Sequence, residues 1–179
     1  MEEKIRLAVF GQKRLSREGG IEIVVKELCT RMAQKGCDIT CYNRAGHHVS
    51  GAEYDKTIEY AGIRQKVVPT IEKKGLAAVS SSFFAALCSA FGRYDVVHIH
   101  AEGPAFFCWI PKLFGKRVIS TIHGECEIIR GCHNRDKGTA ENERLRNPKF
   151  IFSYPKNERR IFLGGSNAIQ KEISTMRVG

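Results

Sequence analysis

An α/β domain built on a doubly wound, parallel sheet is the fold class this sequence predicts, and three observations predict it. Short β-type apolar runs alternate with stretches of helical periodicity, glycines stand at the changes between them, and the spacing matches repeated βαβ units. The 179 residues suit one domain, or one domain with an appendage. A hydrophobic content of 42% is enough to form a core, which excludes wholesale disorder.

The elements follow in order. Lys4 to Phe10 reads as a first strand that stops at Gly11. A polar, basic loop comes next, and Gly19-Gly20 opens a helix. Ile21, Val24, Val25, Leu28 and Met32 recur there at helical spacing, which predicts that they face inward. Glu22, Lys26, Glu27 and Arg31 are expected outside. Gly36 is placed to end the helix as a left-handed cap, and Asp38 to Tyr42 gives a second strand. Such a βαβ unit implies parallel strands and a right-handed crossover.

Residues 44–56 read as an exposed loop. Thr57–Tyr60 and Arg64–Pro69 are short extended pieces around Gly62. A second helix is expected from about Gly75 to Phe91, with Leu76, Val79, Phe83, Leu87 and Phe91 turned inward. Asp95 to His100 is a strand, Gly103-Pro104 opens a short apolar helix, and Lys116 to Ile122 is a further strand closed by His123-Gly124. Beyond Gly124 the pattern changes. Only Lys149–Phe152 and Arg160–Leu163 look strand-like, so residues 1–124 are expected to form the domain and 125–179 an irregular, divergent basic tail that is poorly ordered.

Charge and cysteine content narrow the function classes. A formal net charge of +10 favours anionic partners such as nucleotides, phosphosugars or an acidic membrane surface. Lys and Arg are scattered, and no helix-turn-helix or aromatic-basic interleave stands out, so nucleic acid is not expected as a partner. The N-terminus lacks the pattern of a secretory signal, and the apolar runs are too short or interrupted to span a bilayer. The chain is therefore expected in the cytoplasm. Its seven cysteines are odd in number and without framework-like spacing, which fits reduced thiols.

In an open α/β sheet, ligands bind outside the carboxyl ends of the strands, and three features fall on that edge. The first is Gly19-Gly20 at a helix N-terminus, where unpartnered amides and partial positive charge suit a phosphate or carboxylate. Two glycines let a ligand approach the backbone, although a tight turn into the helix explains them equally well. The second is His98-x-His100-x-Glu102. His98 is expected to be a core histidine, whereas His100 and Glu102 are candidates for ligand contact, as an acid–base pair or half a metal site. The third is His123, an imidazole at a strand tip that could donate to a sugar hydroxyl or steady developing charge.

Other chemistries are less well supplied. The dinucleotide pattern G-x-G-x-x-G and the phosphate-loop pattern G-x-x-x-x-G-K-[ST] are both absent, which argues against a nucleotide-sugar epimerase or a phosphotransferase. His123, Cys126, Cys132 and His133 are zinc-type ligands, but their spacing fits neither paired pattern of a structural zinc site, so no metal is expected.

With these residues in place, the chain resembles the GT-B fold glycosyltransferases of family 4, in their N-terminal, acceptor-side, Rossmann-like domain. The resemblance rests on Glu18-Gly19-Gly20-Ile21-Glu22, on Tyr94-Asp95-Val96-Val97-His98-Ile99-His100, and on Val118-Ile119-Ser120-Thr121-Ile122-His123-Gly124, and it covers about residues 4–124. It implies half of a retaining, hexosyltransferase-type enzyme that moves a sugar from a nucleotide-sugar donor to a saccharide or lipid-linked acceptor in polysaccharide biosynthesis. Gly19 and Gly20 match the loop that reaches the donor phosphates, and His123 matches the histidine near the transferred sugar. The donor is a substrate, and no cofactor is implied. The resemblance also implies peripheral contact with an anionic membrane, at its inner face. Family members run to more than twice this length, so the chain is expected to be truncated and inactive alone. The alternative is a non-catalytic domain that binds a sugar or a partner.

Overall fold

The computed structural model describes residues 4–15, 19–46 and 59–122, together with the strands 149–153 and 159–163. In chain order the elements are β1 (Arg6–Phe10), α1 (Gly20–Gln34), β2 (Asp38–Arg44), β3 (Glu59–Tyr60), β4 (Ile63–Val68), α2 (Leu76–Phe91) and β5 (Val96–His100). There follow α3 (Glu102–Ala105), a 3₁₀ turn (Phe106–Cys108), α4 (Trp109–Leu113), β6 (Arg117–Ile122), β7 (Lys149–Ser153) and β8 (Arg159–Leu163).

The strands form one sheet in the order β3-β4-β2-β1-β5-β6-β7-β8. Its middle, β4-β2-β1-β5-β6, is parallel throughout. The outer pairings β3–β4, β6–β7 and β7–β8 are antiparallel, so the sheet is mixed and mostly parallel, not wholly parallel. The two strand-like pieces beyond Gly124 thus extend this same sheet, Ile122 pairing with Lys149 and Val118 with Ser153.

Period-two alternation sends side chains to two cores. On one face Val25, Leu28, Cys29 and Met32 of α1 pack on Leu7, Val9, Ile39, Cys41 and Ile63. On the other, Ala85, Ala86 and Ala90 of α2 and Ile110 of α4 pack on Ala8, Phe10, Tyr42, Val97, Ile99 and Val118. Each fully buried Val, Leu, Ile, Met or Phe side chain among these stabilises by roughly 1.5–3 kcal/mol. Helices on both faces make the sheet doubly wound.

α1 largely follows its pattern, with two exceptions. Val24 is 41% exposed while Cys29 is buried, and Glu22, expected outside, is buried too. Gly36, at φ +87°, ends the helix as expected, its amide donating to the Ala33 carbonyl.

α2 departs from expectation more sharply. Leu76, Val79, Phe83 and Phe91 are exposed, and the buried face is Ser80, Ser81, Ser82, Ala85, Ala86, Ser89 and Ala90. The cause is steric: small side chains let the helix lie close on the sheet. The buried hydroxyls of Ser80, Ser81, Ser82 and Ser89 donate to carbonyls of the preceding turn at 2.6–2.8 Å, which offsets the cost of burying them.

Two contacts fix the central pair, β1 and β5. At the amino end, Arg6 forks onto Asp95, Nε donating to Oδ2 at 3.2 Å and Nη2 to Oδ1 at 2.8 Å. At the carboxyl end, a Cβ on Gly11 would lie 1.9 Å from the His100 carbonyl oxygen, and Gly11 holds φ +113°. Both the space and the backbone conformation demand glycine there.

Gly11→Ala should therefore destabilise the protein by about 3 kcal/mol, lowering Tm by roughly 6–12 °C in thermal denaturation. The hydrogen bonds from Arg6 hold the Asp95 carboxyl below its ordinary value of 3.8. A depressed carboxylate pKa contributes stability above that value, lost as pH falls through the folded-state pKa. Both side chains are 41% exposed, so screening limits the increment to about 1 kcal/mol or less. Asp95→Asn should lower stability by that amount at pH 7, with wild type and variant converging below pH 3.8 in denaturant titrations.

Candidate functional site at the carboxyl edge of the sheet

The parallel strands all present their carboxyl ends on one edge, and the loops there build the candidate site. β1 ends at Phe10, β2 at Arg44, β4 at Val68, β5 at His100 and β6 at Ile122. α1 starts on the same edge, because it follows β1 and returns antiparallel to it.

The loop after β1 is held down by a polar network. Gln12 Nε2 donates to the Tyr42 carbonyl at 3.2 Å, and the Leu15 amide to Asn43 Oδ1 at 3.2 Å. Asn43 Nδ2 in turn donates to Gln65 Oε1 at 2.8 Å. The Arg44 amide donates to the Lys13 carbonyl at 2.7 Å. Arg14, only 1% exposed, spends its guanidinium on carbonyls, Nε on Arg44 and Nη2 on Gly46. A run that reads as a solvated basic loop is instead a buried polar clamp. The sequence signal available for it is the polar pair Asn43-Arg44 at the tip of β2, within reach of the neighbouring loop.

Between this clamp and α2 lies a small recess, with room for about one water molecule, lined by Phe10, Gln12, Tyr42, Arg44, Ser81 and Ser82 among others. The Tyr42 hydroxyl is hydrogen-bonded to that of Tyr94 at 2.9 Å. Burial first, and then this bond, push the Tyr42 phenol well above its ordinary range. It therefore stays protonated.

Gly19 and Gly20 begin α1 as expected. Gly19 is the N-cap, with extended backbone at φ −173° that any residue adopts. A Cβ on Gly19 would lie 2.5 Å from Oε2 of Glu22, a buried carboxylate bonded to the Lys13 amide, so crowding accounts for glycine there. One on Gly20 would meet nothing within 4 Å among the described residues, and neither crowding nor a left-handed backbone accounts for glycine at that position. Glu22, at the third helical position, turns its carboxylate back to accept from the Lys13 amide at 3.3 Å. That places a fixed negative charge beside the positive end of the helix, on the Gly19 side. The Gly20 side is open.

His98 is a core histidine, as expected, with Nε2 paired to Thr121 Oγ1 at 2.7 Å. His100 is also fully buried, its ring 4.1 Å from that of His98. Glu102 is exposed in the first turn of α3. His100 thus lies in the core and Glu102 at the surface, one residue to either side of Ala101. Ala101 itself holds φ +76° and ψ 157°, a region that a side chain occupies only at a cost of about 1–3 kcal/mol. Its amide donates to the Thr121 carbonyl and its carbonyl accepts from Ala105, so the strained residue is pinned between β6 and α3.

His123, with Cys126, Cys132 and His133, lies outside the described residues. Ile122, its neighbour, ends β6 on the same edge as α1. Among the described residues, no three His, Cys, Asp or Glu side chains are grouped as a metal would require.

Comparison with known proteins adds one finding at the level of family. No curated protein matches the chain. The family profile described as Glycosyltransferase Family 4 matches residues 18–173. The match starts at the diglycine loop and runs well past Gly124, so the likeness is longer than the motifs within 4–124 indicate, and it takes in both antiparallel strands β7 and β8. A match over most of the sequence, on a mostly parallel sheet with helices on both faces, establishes that the chain belongs to glycosyltransferase family 4.

Proposed function

We propose that this chain is the acceptor-side half of a retaining hexosyltransferase, which moves a sugar from a nucleotide-sugar donor to a saccharide or lipid-linked acceptor in polysaccharide biosynthesis. The donor enters as substrate, with no metal or other cofactor. A second, nucleotide-binding Rossmann-like half completes the cleft. The working site is the cytoplasmic face of a membrane, with the protein held peripherally.

One observation carries the reading to particular atoms. Gly20 sits at the start of a fifteen-residue helix, on the ligand-binding edge, and nothing within the described chain requires it to lack a side chain. Glycine at a first helical position costs backbone entropy that alanine would not. A site that keeps the costlier residue without an internal reason is best explained by something outside the chain that needs the space. The helix N-terminus specifies what that is: an anion, here a donor phosphate. His123, in this reading, donates a hydrogen bond to the transferred sugar from the tip of β6. Glu102 is exposed to meet acceptor hydroxyls, and His100 serves by holding the rim from behind.

The test separates stability from ligand binding at one position. Gly20→Ala should raise stability by up to about 1 kcal/mol, a Tm gain of roughly 2–4 °C, because the added methyl meets open space and the helix start loses less entropy. The same variant should weaken nucleotide-sugar binding by calorimetry, and Gly20→Val should weaken transfer at least tenfold once a second domain is supplied. A folded Gly20→Val protein with unaltered donor binding and transfer would remove the phosphate assignment. Sugar or nucleotide binding with no transfer under any complementation would leave a binding module in its place.

A further inference from the structure

Where α1 packs on β2, two thiols face each other. Cys29 stands on the buried side of α1 and Cys41 on the side of β2 turned towards it, and their Sγ atoms lie 3.8 Å apart, in van der Waals contact. Neither cysteine is in a disulfide. Both are buried, and the buried residues that share their core are otherwise aliphatic or methionine. A single thiol in such a place is a small apolar filler. Two in contact, on different elements, have a chemistry that fillers lack, because they can be joined.

The two sulfurs are not equivalent. The bond to Cys29 first, and then burial, push the Cys41 thiol well above its ordinary range. Cys41 therefore keeps its proton and turns it towards Cys29, which leaves Cys29 as the sulfur that meets an oxidant. Burial selects the oxidant by size: a peptide disulfide cannot reach the pair without opening the core, whereas hydrogen peroxide is small and uncharged. Peroxide transfers one oxygen to Cys29, giving a sulfenic acid and one water. The Cys41 sulfur then attacks the Cys29 sulfur, the S–O bond breaks, and the departing hydroxide takes up the Cys41 proton as a second water. The two thiols lose two electrons and peroxide gains two.

Joining the pair has a mechanical consequence. A disulfide is about 2.05 Å long, so the sulfurs must close by roughly 1.8 Å from their present contact. β2 is the element less able to yield, since Cys41 lies in register with Val9 of β1 on one side and Gln65 of β4 on the other, inside two parallel ladders. α1 rests on the sheet through side-chain packing. The helix is therefore what moves, and Gly20 at its start moves with it. We infer that Cys29 and Cys41 form a peroxide-sensitive thiol pair whose disulfide shifts α1 and weakens the anion site at Gly20. The disulfide stands on the geometry of the pair alone, and its effect on transfer rests on the reading of Gly20 given above.

Trypsin separates the pair, releasing Cys29 in the peptide 27–31 and Cys41 in the peptide 36–44. The second peptide also holds Cys37, so the whole chain is tested as Cys37→Ser. The folded protein would be treated with hydrogen peroxide, its remaining thiols blocked, and the digest weighed by mass spectrometry. The two peptides should appear joined, two hydrogens lighter than the pair, and dithiothreitol should separate them. No joined peptide at a peroxide dose that fully oxidises the exposed Cys88, or a joined peptide only after denaturation, overturns the inference. In the completed enzyme, peroxide should lower transfer about tenfold or more, with recovery in dithiothreitol. Cys29→Ala should remove that sensitivity and leave basal transfer unchanged, and Cys41→Ala takes its place should the first variant not fold. A joined peptide with undiminished transfer overturns the shift of α1. A completed enzyme that transfers nothing while reduced discards the transferase reading alone, because the peptide masses are read without it.

Discussion

The meeting of β1 and β5 at their carboxyl ends is the constraint on which the rest of the molecule depends. Gly11 approaches the His100 carbonyl more closely than any side chain permits, and it does so in a backbone conformation that favours glycine. That approach lets the loop after β1 fold back over the sheet edge instead of projecting from it. Gln12, Arg14 and Leu15 can then be buried against the tip of β2. Without it the polar clamp would have no partner carbonyls, and a buried guanidinium with no acceptors is among the costliest groups a fold can carry.

The same geometry determines what the edge offers a ligand. A parallel strand delivers its following helix with amide groups facing the rim, so the start of α1 is a site for negative charge by construction. Here the protein supplies one negative charge itself. Glu22 occupies the Gly19 side of the helix start and steadies the Lys13 amide, which fixes the loop while leaving the Gly20 side uncovered. Across the sheet, Ala101 carries its strain immediately after β5, tied by hydrogen bonds on both sides. Strain kept by surrounding structure at a ligand-binding edge is a common property of working sites. In both places the local preference of the chain has been overridden by what the edge must present.

How far the sequence discloses this depends on which physical signal a residue leaves. α1, β1, β2, β5 and β6 are legible because large apolar residues recur at the period of the element and glycine stands at its ends. β7 and β8 are legible as strands, but their antiparallel pairing is not, since direction depends on connections that no local pattern encodes. The buried face of α2 is not legible in the sequence for a definite reason: Ser80, Ser82 and Ser89 look polar, yet their hydroxyls are satisfied within the helix, and the contact with the sheet rewards small size over hydrophobicity. At the site, Gly19 and Gly20 are conspicuous in sequence, whereas the clamp of Gln12, Arg14 and Asn43 is invisible there, because its partners are main-chain carbonyls and an amide some thirty positions away. His100 shows the converse limit. Period-two spacing placed it correctly at the end of β5, but spacing carries no information on depth, and the ring lies in the core beside His98.

The inverted face of α2 has a consequence that reaches beyond packing. A helix with a small-residue seam and large apolar residues on the other side cannot be accounted for by its own domain, because the sheet accepts only the seam. Had Leu76, Val79, Phe83 and Phe91 been core residues misplaced by the periodicity, their outward position would leave voids beneath the helix. Instead Ala85, Ala86 and Ala90 are fully buried there, in contact with β1 and β5 residues. The outward residues are therefore surplus to the fold, and two of them make ring contacts beyond α2, Phe83 with the half-buried Phe107 and Phe91 with the exposed Phe114. Exposed aromatic surface carries a standing cost in water and a risk of aggregation.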